Sequence, residues 1–238
     1  MNLMCDITSN CNLRCPFCVN DWTQIRGNVN MSQEMFGRAL ELAASDNIGA
    51  EGFFISCAFE PLIHPDWQGL FAMVPMDLKR KAFISTNLTS PLTDDQIAAL
   101  SGANLSHINV SLESLRPDLY EWFRRGATHD VFGDNLTRLS FALSANPDGP
   151  RLRLITMLFR QNAAEIGEIV TYGREELGAE RHEVRTPFGF SLPLMSEEFR
   201  EASLLTALEA RDLSAQIDGV DWRIDDMRVE SDGRGLPE

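Results

Sequence analysis

Three cysteines near the amino terminus have the residue type and spacing to do chemistry. Cys11, Cys15 and Cys18 lie in the segment TSNCNLRCPFCVN, which gives the spacing C-x3-C-x2-C. Thiolates are the usual protein ligands of iron–sulfur clusters, and three of them on one short loop can hold three irons of a [4Fe–4S] cube. The fourth iron then has no protein ligand and can chelate a small molecule. The spacing therefore predicts a cluster with one open iron.

A zinc site and a disulfide framework are the other uses of such cysteines. Structural zinc usually takes four protein ligands, typically as two close pairs, and the remaining cysteines, Cys5 and Cys57, form no second pair. Five cysteines in 238 residues are sparse and odd in number, which argues against a disulfide framework. A non-catalytic iron–sulfur electron carrier or a zinc-binding module stays the alternative from another functional class. Cys5 and Cys57 are spare thiols. We expect Cys57, at the end of the second predicted strand, to be a small buried apolar residue, with a hydrogen-atom donor role as the alternative.

The cysteine segment resembles that of the radical S-adenosylmethionine (radical SAM) superfamily, over about residues 3–186. The resemblance implies that the amino and carboxylate groups of SAM fill the open iron. It also implies that a 5′-deoxyadenosyl radical, formed by reductive cleavage of SAM, removes a hydrogen atom from the substrate. By the same resemblance Phe17 borders the adenine, and a flavodoxin- or ferredoxin-like protein donates the electron.

Polar segments that follow three later strands resemble the family's SAM-binding motifs. ISCAFEPLIHPDW resembles a Gly-Gly-Glu-Pro stretch, in which Ala58 and Phe59 replace the glycines and Glu60 is retained. The resemblance implies that this backbone and the Glu60 carboxylate receive the SAM amino group. A phenylalanine adopts a positive φ less readily than glycine, so the local backbone should differ. STNLTSP and VSLES resemble the next two motifs, which makes Asn87 and Ser111 candidate SAM contacts.

Arginines supply the remaining candidate contacts. FRRGA resembles an Ile-Arg-Gly stretch whose arginine binds the SAM carboxylate, which corresponds to Arg125, with Arg124 as the alternative. Arg153 and Arg185 lie on predicted strands and either face the barrel interior, to pair with an acidic group, or form salt bridges with a neighbouring helix. We expect His64, in the HPD turn, to be structural.

Alternating strand and helix patterns predict the fold that positions these residues. Strands are predicted at 3–8, 52–57, 82–87, 107–113, 151–159 and 181–186, and helices at 32–46, 65–74, from 93, 116–145 with a break near Gly126, 162–178 and 196–215. Such units predict an α/β fold, a partial (β/α)6 TIM-like barrel of parallel strands with outer helices, which is also the family's fold. Functional residues of barrels cluster at the carboxyl ends of strands, where the cysteine loop begins. We expect a core domain at 1–190, and a C-terminal helix and short extension packing on it at 191–238.

Composition narrows the function further. A formal net charge of −14 makes nucleic acid a poor partner. No run of ~18 apolar residues indicates a membrane span, no signal peptide is evident, and an oxygen-sensitive cluster with free thiols favours the cytoplasm. The lack of cysteine after residue 57 favours a single-cluster member without a cysteine-rich C-terminal extension. We expect a biosynthetic enzyme whose substrate is a small, sugar- or nucleoside-like molecule, with a peptide as the alternative. Dehydrogenation, dehydration or rearrangement, epimerisation and activation of a partner are the open outcomes.

Overall fold

Seven parallel strands form one curled sheet, a half-barrel, with helices on its outer face. The computed structural model describes residues 2–20, 29–45, 52–56 and 58–224. The strands lie side by side in chain order: Asn2–Cys5 (β1), Gly52–Ile55 (β2), Ala82–Thr86 (β3), His107–Ser111 (β4), Arg151–Met157 (β5), Arg181–Arg185 (β6) and Asp221–Arg223 (β7). The predicted fold class is confirmed.

The alternation of side chains along each strand separates a core layer from a barrel interior. In β4, Ile108 and Val110 are completely buried against the helices, whereas His107, Asn109 and Ser111 face the interior cavity. Successive side chains of a strand point to opposite faces, so one face packs and the other stays free to line a site. The same alternation runs through β3 and β5.

Eight helices of the described residues connect the strands. They are Gln33–Ala44 (α1), Trp67–Ala72 (α2), Asp94–Ser101 (α3), Pro117–Phe123 (α4), His129–Ser144 (α5), Ile166–Glu175 (α6), Glu197–Ser203 (α7) and Ala207–Ser214 (α8). The Ser32 side chain caps α1, and Thr93 and Gln96 form a capping box at α3, as the sequence predicted. None of the helices in the described part of the chain is long and apolar enough to cross a bilayer.

Gly126 separates α4 from α5, which confirms the predicted break. Its φ of +98° lies in the region that favours glycine, and a Cβ there would come within 3.3 Å of the Asn12 carbonyl oxygen. This close approach accompanies a backbone hydrogen bond, 2.9 Å long, from the Arg14 amide to the Arg125 carbonyl. The turn therefore fastens the cysteine loop to the end of α4.

One strand of the later chain was not predicted, and two helices differ from their predicted bounds. Strand β7 was missed because three residues show no alternation of their own and the strand depends on pairing with β6. The helix predicted at 196–215 is two helices, since Thr206 starts a new capping box with Glu209, and Leu208 is 71% exposed. The helix predicted from residue 162 begins at Ile166, and the Asn162 side chain bonds backbone groups that include the Glu113 carbonyl. The division at residue 190 stays a prediction, and the tail from 225 lies outside the described residues.

Candidate active site

The cysteine loop leaves the carboxyl end of β1 and is held in place from two neighbouring segments. The Asp6 carboxylate accepts hydrogen bonds from the amides of Ala58 and Phe59, at 3.1 and 3.3 Å. The Glu60 amide donates to the Asn10 carbonyl at 3.1 Å. These bonds join the loop after β1 to the loop after β2, so both contribute to one site.

Cys11, Cys15 and Cys18 all line a single cavity of about 130 Å3. Each sulfur receives at least one N–H donor: the Leu13 amide lies 3.4 Å from Cys11 Sγ, the Asn20 amide 3.5 Å from Cys18 Sγ, and Arg124 Nη1 3.7 Å from Cys15 Sγ. N–H groups directed at sulfur stabilise thiolate ligands of a cluster. Burial raises the pKa of the Cys11 thiol to about 12 and that of Cys15 to about 11. Metal would therefore displace protons from these thiols on binding.

The donor set fits a cluster of several atoms. Across the described residues, no three cysteine, histidine or acidic side chains gather closely enough to hold one metal ion, so the three thiols surround a space instead of converging on a point. Cys5 does not line this cavity; its sulfur lies 3.8 Å from Met31 Sδ and it packs against the hydrophobic core. Cys57 lies outside the described residues. The thiol-only ligands and the cavity that they line suit an iron–sulfur cube.

Glu60 holds the ends of β2 and β3 together. Its carboxylate is 3% exposed and accepts bonds from the Leu62 amide at 3.1 Å, the Thr86 hydroxyl at 2.6 Å and the Asn87 amide at 2.6 Å. Burial raises the pKa of Glu60 to about 7, although these donors oppose the shift. Both carboxylate oxygens are thus already used by the protein, which makes Glu60 a positioning residue for the Asn87 backbone.

Asn87 and Ser111 lie on the same cavity as the three cysteines. The side-chain nitrogen of Asn87, Nδ2, is 3.0 Å from Asn12 Oδ1 and 3.6 Å from Cys11 Sγ. Its side-chain oxygen accepts from the Thr89 hydroxyl at 2.7 Å. The side chain is therefore locked between the cysteine loop and the loop after β3. Ser111, at the end of β4, lines both this cavity and a larger one beside it.

In two motifs this chain has other residues where the family has glycine, so the φ angles there show whether the turns are kept. The described non-glycine residues with positive φ are Ser56, at 69°, and Leu88, at 56°. Leu88 stands where the family's motif has glycine, so the left-handed turn is kept although the glycine is not, and the buried Leu88 side chain packs in the core. After β2 the positive φ occurs at Ser56, and Phe59 does not adopt one, as expected for a residue other than glycine. Ala58 and Phe59 still line the cavity.

The structure brings Arg124 to the site and leaves Arg125 outside it. Arg125 is exposed and does not line either cavity, whereas Arg124 is 9% exposed and lines both. The two arginines diverge because Arg124 ends α4 and turns inward to Glu113, a residue with no exposed surface. The alternative reading of FRRGA thus fits the geometry, and the choice of Arg125 does not.

Arg124 and Glu113 form a bidentate ion pair. Nε and Nη2 of the arginine donate to separate carboxylate oxygens, each at 2.5 Å. Burial opposes the arginine charge, but the Glu113 carboxylate outweighs it and holds the pKa of Arg124 well above its ordinary value. Arg124 therefore stays charged beside Cys15. Sequence reasoning passed over Glu113, although an acid within VSLES, eleven positions before the arginine, was the available signal.

Phe17 connects the cysteine loop to an aromatic cluster. Its ring lies 5.0 Å from that of Phe159 and 6.2 Å from that of Phe123, and the Arg124 guanidinium lies 5.4 Å from its centroid. Cation–π contacts of this kind favour a fixed arginine. Phe17 is 7% exposed and lines both cavities, so it acts as core residue and as cavity wall together.

A second cavity, of about 700 Å3, occupies the barrel interior next to the first. Six residues line both cavities: Phe17, Cys18, Ala58, Ser85, Ser111 and Arg124. Met4, Phe54 and Phe83 form an apolar side of the larger cavity. Arg153 and Arg185 line it, as one of the two sequence readings expected, and so does Arg181, which sequence reasoning did not single out. Its volume lies within the range of small-molecule sites.

Comparisons with known proteins bear on the family of the chain. The family model described as "Radical SAM superfamily" matches residues 6–172. A protein named "Probable GTP 3′,8-cyclase" from Methanosarcina mazei is 28% identical over 181 residues, 74% of this chain and 51% of that protein. A "PqqA peptide cyclase" from Gluconobacter oxydans is 27% identical over 186 residues, 77% of this chain and 48% of that protein. This chain thus spans about half the length of these curated relatives.

A solved structure shares the fold. Streptococcus suis SuiB bound to its precursor peptide SuiA matches with a TM-score of 0.73 and 17% identity, over 94% of this chain and 48% of that one. At that identity the likeness speaks for the fold. The family model covers more than half of the chain and includes the three cysteines, β2 to β5 and Arg124. On these grounds the chain belongs to the radical SAM superfamily.

Proposed function

We propose that the chain is the catalytic barrel of a radical SAM enzyme, in which Cys11, Cys15 and Cys18 hold a [4Fe–4S] cluster. One observation carries the proposal: the three motif thiols and the polar ends of β2, β3 and β4 line one small cavity that opens into the barrel interior. Bound together, the cluster and SAM would supply one-electron cleavage of SAM and abstraction of a hydrogen atom from the substrate.

The residues of the chain bind and orient in this scheme. Asn87, Ser111 and the backbone at Ala58 and Phe59 offer polar contacts for SAM on the small cavity. Arg124 replaces Arg125 as the residue for the SAM carboxylate. Two of its nitrogens donate to Glu113 and the third to Cys15, which leaves one further N–H on each terminal nitrogen for a carboxylate.

The substrate occupies the larger cavity in this proposal. A volume of about 700 Å3 supports a small, sugar- or nucleoside-like molecule. A peptide is the second candidate, supported by the relative named a PqqA peptide cyclase and by the SuiB structure with its precursor peptide. The electron donor would be a flavodoxin- or ferredoxin-like protein, and the reducing cytoplasm its compartment.

Iron and sulfide analysis tests the ligand set. After anaerobic reconstitution, a variant with alanine at any of the three motif cysteines should lose most of the cluster, because the proposed cluster is held by all three thiolates of this loop. Cys5→Ala is the matched control, since that thiol packs against the core, and it should retain parent iron and sulfide. Cluster loss in Cys5→Ala would show that the ligand set is wrong.

Anaerobic turnover separates the enzyme from the electron-carrier alternative. Reduced, reconstituted protein with SAM should form 5′-deoxyadenosine and methionine slowly, even before the substrate is known, and chromatography measures both products. A fully loaded cluster that binds SAM and yields neither product would favour the carrier. A preparation that binds zinc through four ligands and no iron would favour the zinc module.

A further inference from the structure

The larger cavity has one cationic wall in an acidic protein. Arg153 on β5 and Arg181 and Arg185 on β6 line this wall, which we call the arginine wall. Glu183 is the one carboxylate among the described lining residues. The chain as a whole has a formal net charge of −14, so its overall composition does not account for this local excess of positive charge.

Acidic partners hold two of these arginines from outside the cavity. Arg153 pairs with Glu180 at 2.8 Å, and Arg181 pairs with Asp221. Neither acid lines the cavity, and Glu180 is 45% exposed, so solvent screens its charge. These pairs orient the guanidinium groups, and the three arginines remain the cationic side chains that the wall presents to the cavity.

Arg185 has donor capacity that its neighbours do not use. It pairs with Glu183 at 2.6 Å, and its guanidinium lies 5.3 Å from the Phe188 ring centroid. Its Nε is buried and has no hydrogen-bond partner among the residues that the structure describes. Burial lowers the pKa of Arg185 from its ordinary value.

His107 lies between the arginine wall and Phe83. Its ring lies 3.4 Å from Arg153 Nη1 and stacks on Phe83 at 4.5 Å. Burial, and then the charges of Arg153 and Arg181, lower the pKa of His107 to about 4. The imidazole is therefore neutral near pH 7 and does not offset the positive charge of the arginines. Beyond His107, Phe54 stacks on Phe83 at 4.6 Å, which makes that part of the cavity lining apolar.

We propose that the substrate carries a carboxylate or phosphate group that binds the arginine wall, with an apolar or planar part against Met4, Phe54 and Phe83. This inference rests on the proposed function, because it takes the larger cavity as the substrate site. Guanidinium forks match the paired oxygens of such anions. The shared chemistry is an oxyanion, whether a free metabolite or an acidic side chain of a peptide presents it.

Two substitutions on the wall should have opposite effects on anion affinity. Reconstituted protein, with and without saturating SAM, is titrated calorimetrically, at low ionic strength, with pyrophosphate, with glutarate and with a capped pentapeptide that contains one glutamate. Arg185→Gln and Arg153→Gln should each weaken binding by about 10- to 100-fold, the loss of a charge-assisted contact. Glu183→Gln should tighten it by about 3- to 10-fold, because it removes the competing carboxylate. Arg174→Gln, at an exposed ion pair with Glu175, is the control and should leave affinity unchanged.

Each outcome decides the proposal. Binding of the free anions identifies a small-molecule source, and binding of the peptide alone identifies a peptide source. If no probe binds the parent at about 10 mM, or if Arg185→Gln and Glu183→Gln shift affinity alike or not at all, the arginines serve only the fold. If Arg185→Gln does not fold, Arg153→Gln and Glu183→Gln still carry the test. SAM affinity, measured on the same samples, should be unchanged in all variants; its absence in the parent would refute the proposed function and leave the anion result standing.

Discussion

The ion pair between Arg124 and Glu113 makes a prediction that distinguishes two adjacent arginines. Arg124→Gln would leave the Glu113 carboxylate, which has no exposed surface, without its two 2.5 Å hydrogen bonds. Breaking a buried pair by removing one partner costs about 3–5 kcal/mol, because the remaining charge stays desolvated. For a chain of this size that corresponds to a fall of about 6–20 °C in the thermal midpoint. Arg125→Gln removes an exposed side chain and should change stability by less than about 0.5 kcal/mol.

Anaerobic thermal unfolding of the reconstituted variants, followed by circular dichroism, measures the difference. The double variant Glu113→Gln with Arg124→Gln is the decisive companion, since it removes both charges and should recover a large part of the loss. Equilibrium binding of SAM adds a second measurement, in which Arg124→Gln should weaken affinity by about 10- to 100-fold and Arg125→Gln should not. Equal midpoints for the two single variants would refute the buried pair. Loss of SAM affinity in Arg125→Gln alone would return the carboxylate role to Arg125.

Two further predictions concern packing and protonation around the barrel. Glu60→Gln should destabilise the fold by about 1–3 kcal/mol, because an amide nitrogen cannot accept from the donors that the carboxylate now satisfies. Burial raises the pKa of Glu60 from 4.5 to about 7, so ionisation favours the unfolded chain. The parent should therefore lose stability relative to Glu60→Gln as the pH rises from 4.5 to 7. A constant difference in stability over that pH range would contradict this. Gly173→Ala should destabilise the fold by about 1–3 kcal/mol, because its Cβ would lie 2.5 Å from Leu154 Cδ1. Gly133→Ala should instead stabilise helix α5 by about 0.5–1 kcal/mol, because its Cβ would have nothing within 4 Å. Chemical denaturation of the two glycine variants side by side checks both signs, and a gain in Gly173→Ala would mean that α6 packs less tightly on β5 than described.

Local patterns predicted most of the barrel because they depend on neighbours in sequence. The capping box of Thr93 and Gln96, the N-cap at Ser32 and the break at Gly126 are each complete within a few residues. The order of strands followed from alternation and the handedness of crossovers. The cysteine motif was equally local, so its position after β1 could be stated before any coordinates.

The contacts that sequence reasoning missed depend on distant partners. Whether Arg124 or Arg125 enters the site is decided by how α4 ends and by Glu113 on the opposite segment, neither of which the string FRRGA contains. Strand β7 exists because Asp221, Trp222 and Arg223 pair with β6, and three residues show no period of their own. Arg181 was passed over because its role depends on facing the same interior as Arg153, which only the register of β5 and β6 determines.

Small polar side chains explain why this barrel has an interior cavity at all. In closed barrels the interior is filled by bulky branched residues, yet here the interior-facing residues of β3 and β4 include Ser85, Asn109 and Ser111, which line the open space. Asn109 donates to Ser85 at 3.3 Å, so these groups are paired across the two strands. The same serines lie where the two cavities meet. Because serine is small, it leaves open the junction between the thiol-lined cavity and the arginine wall. That space is where a bound cofactor and an anionic substrate could approach each other.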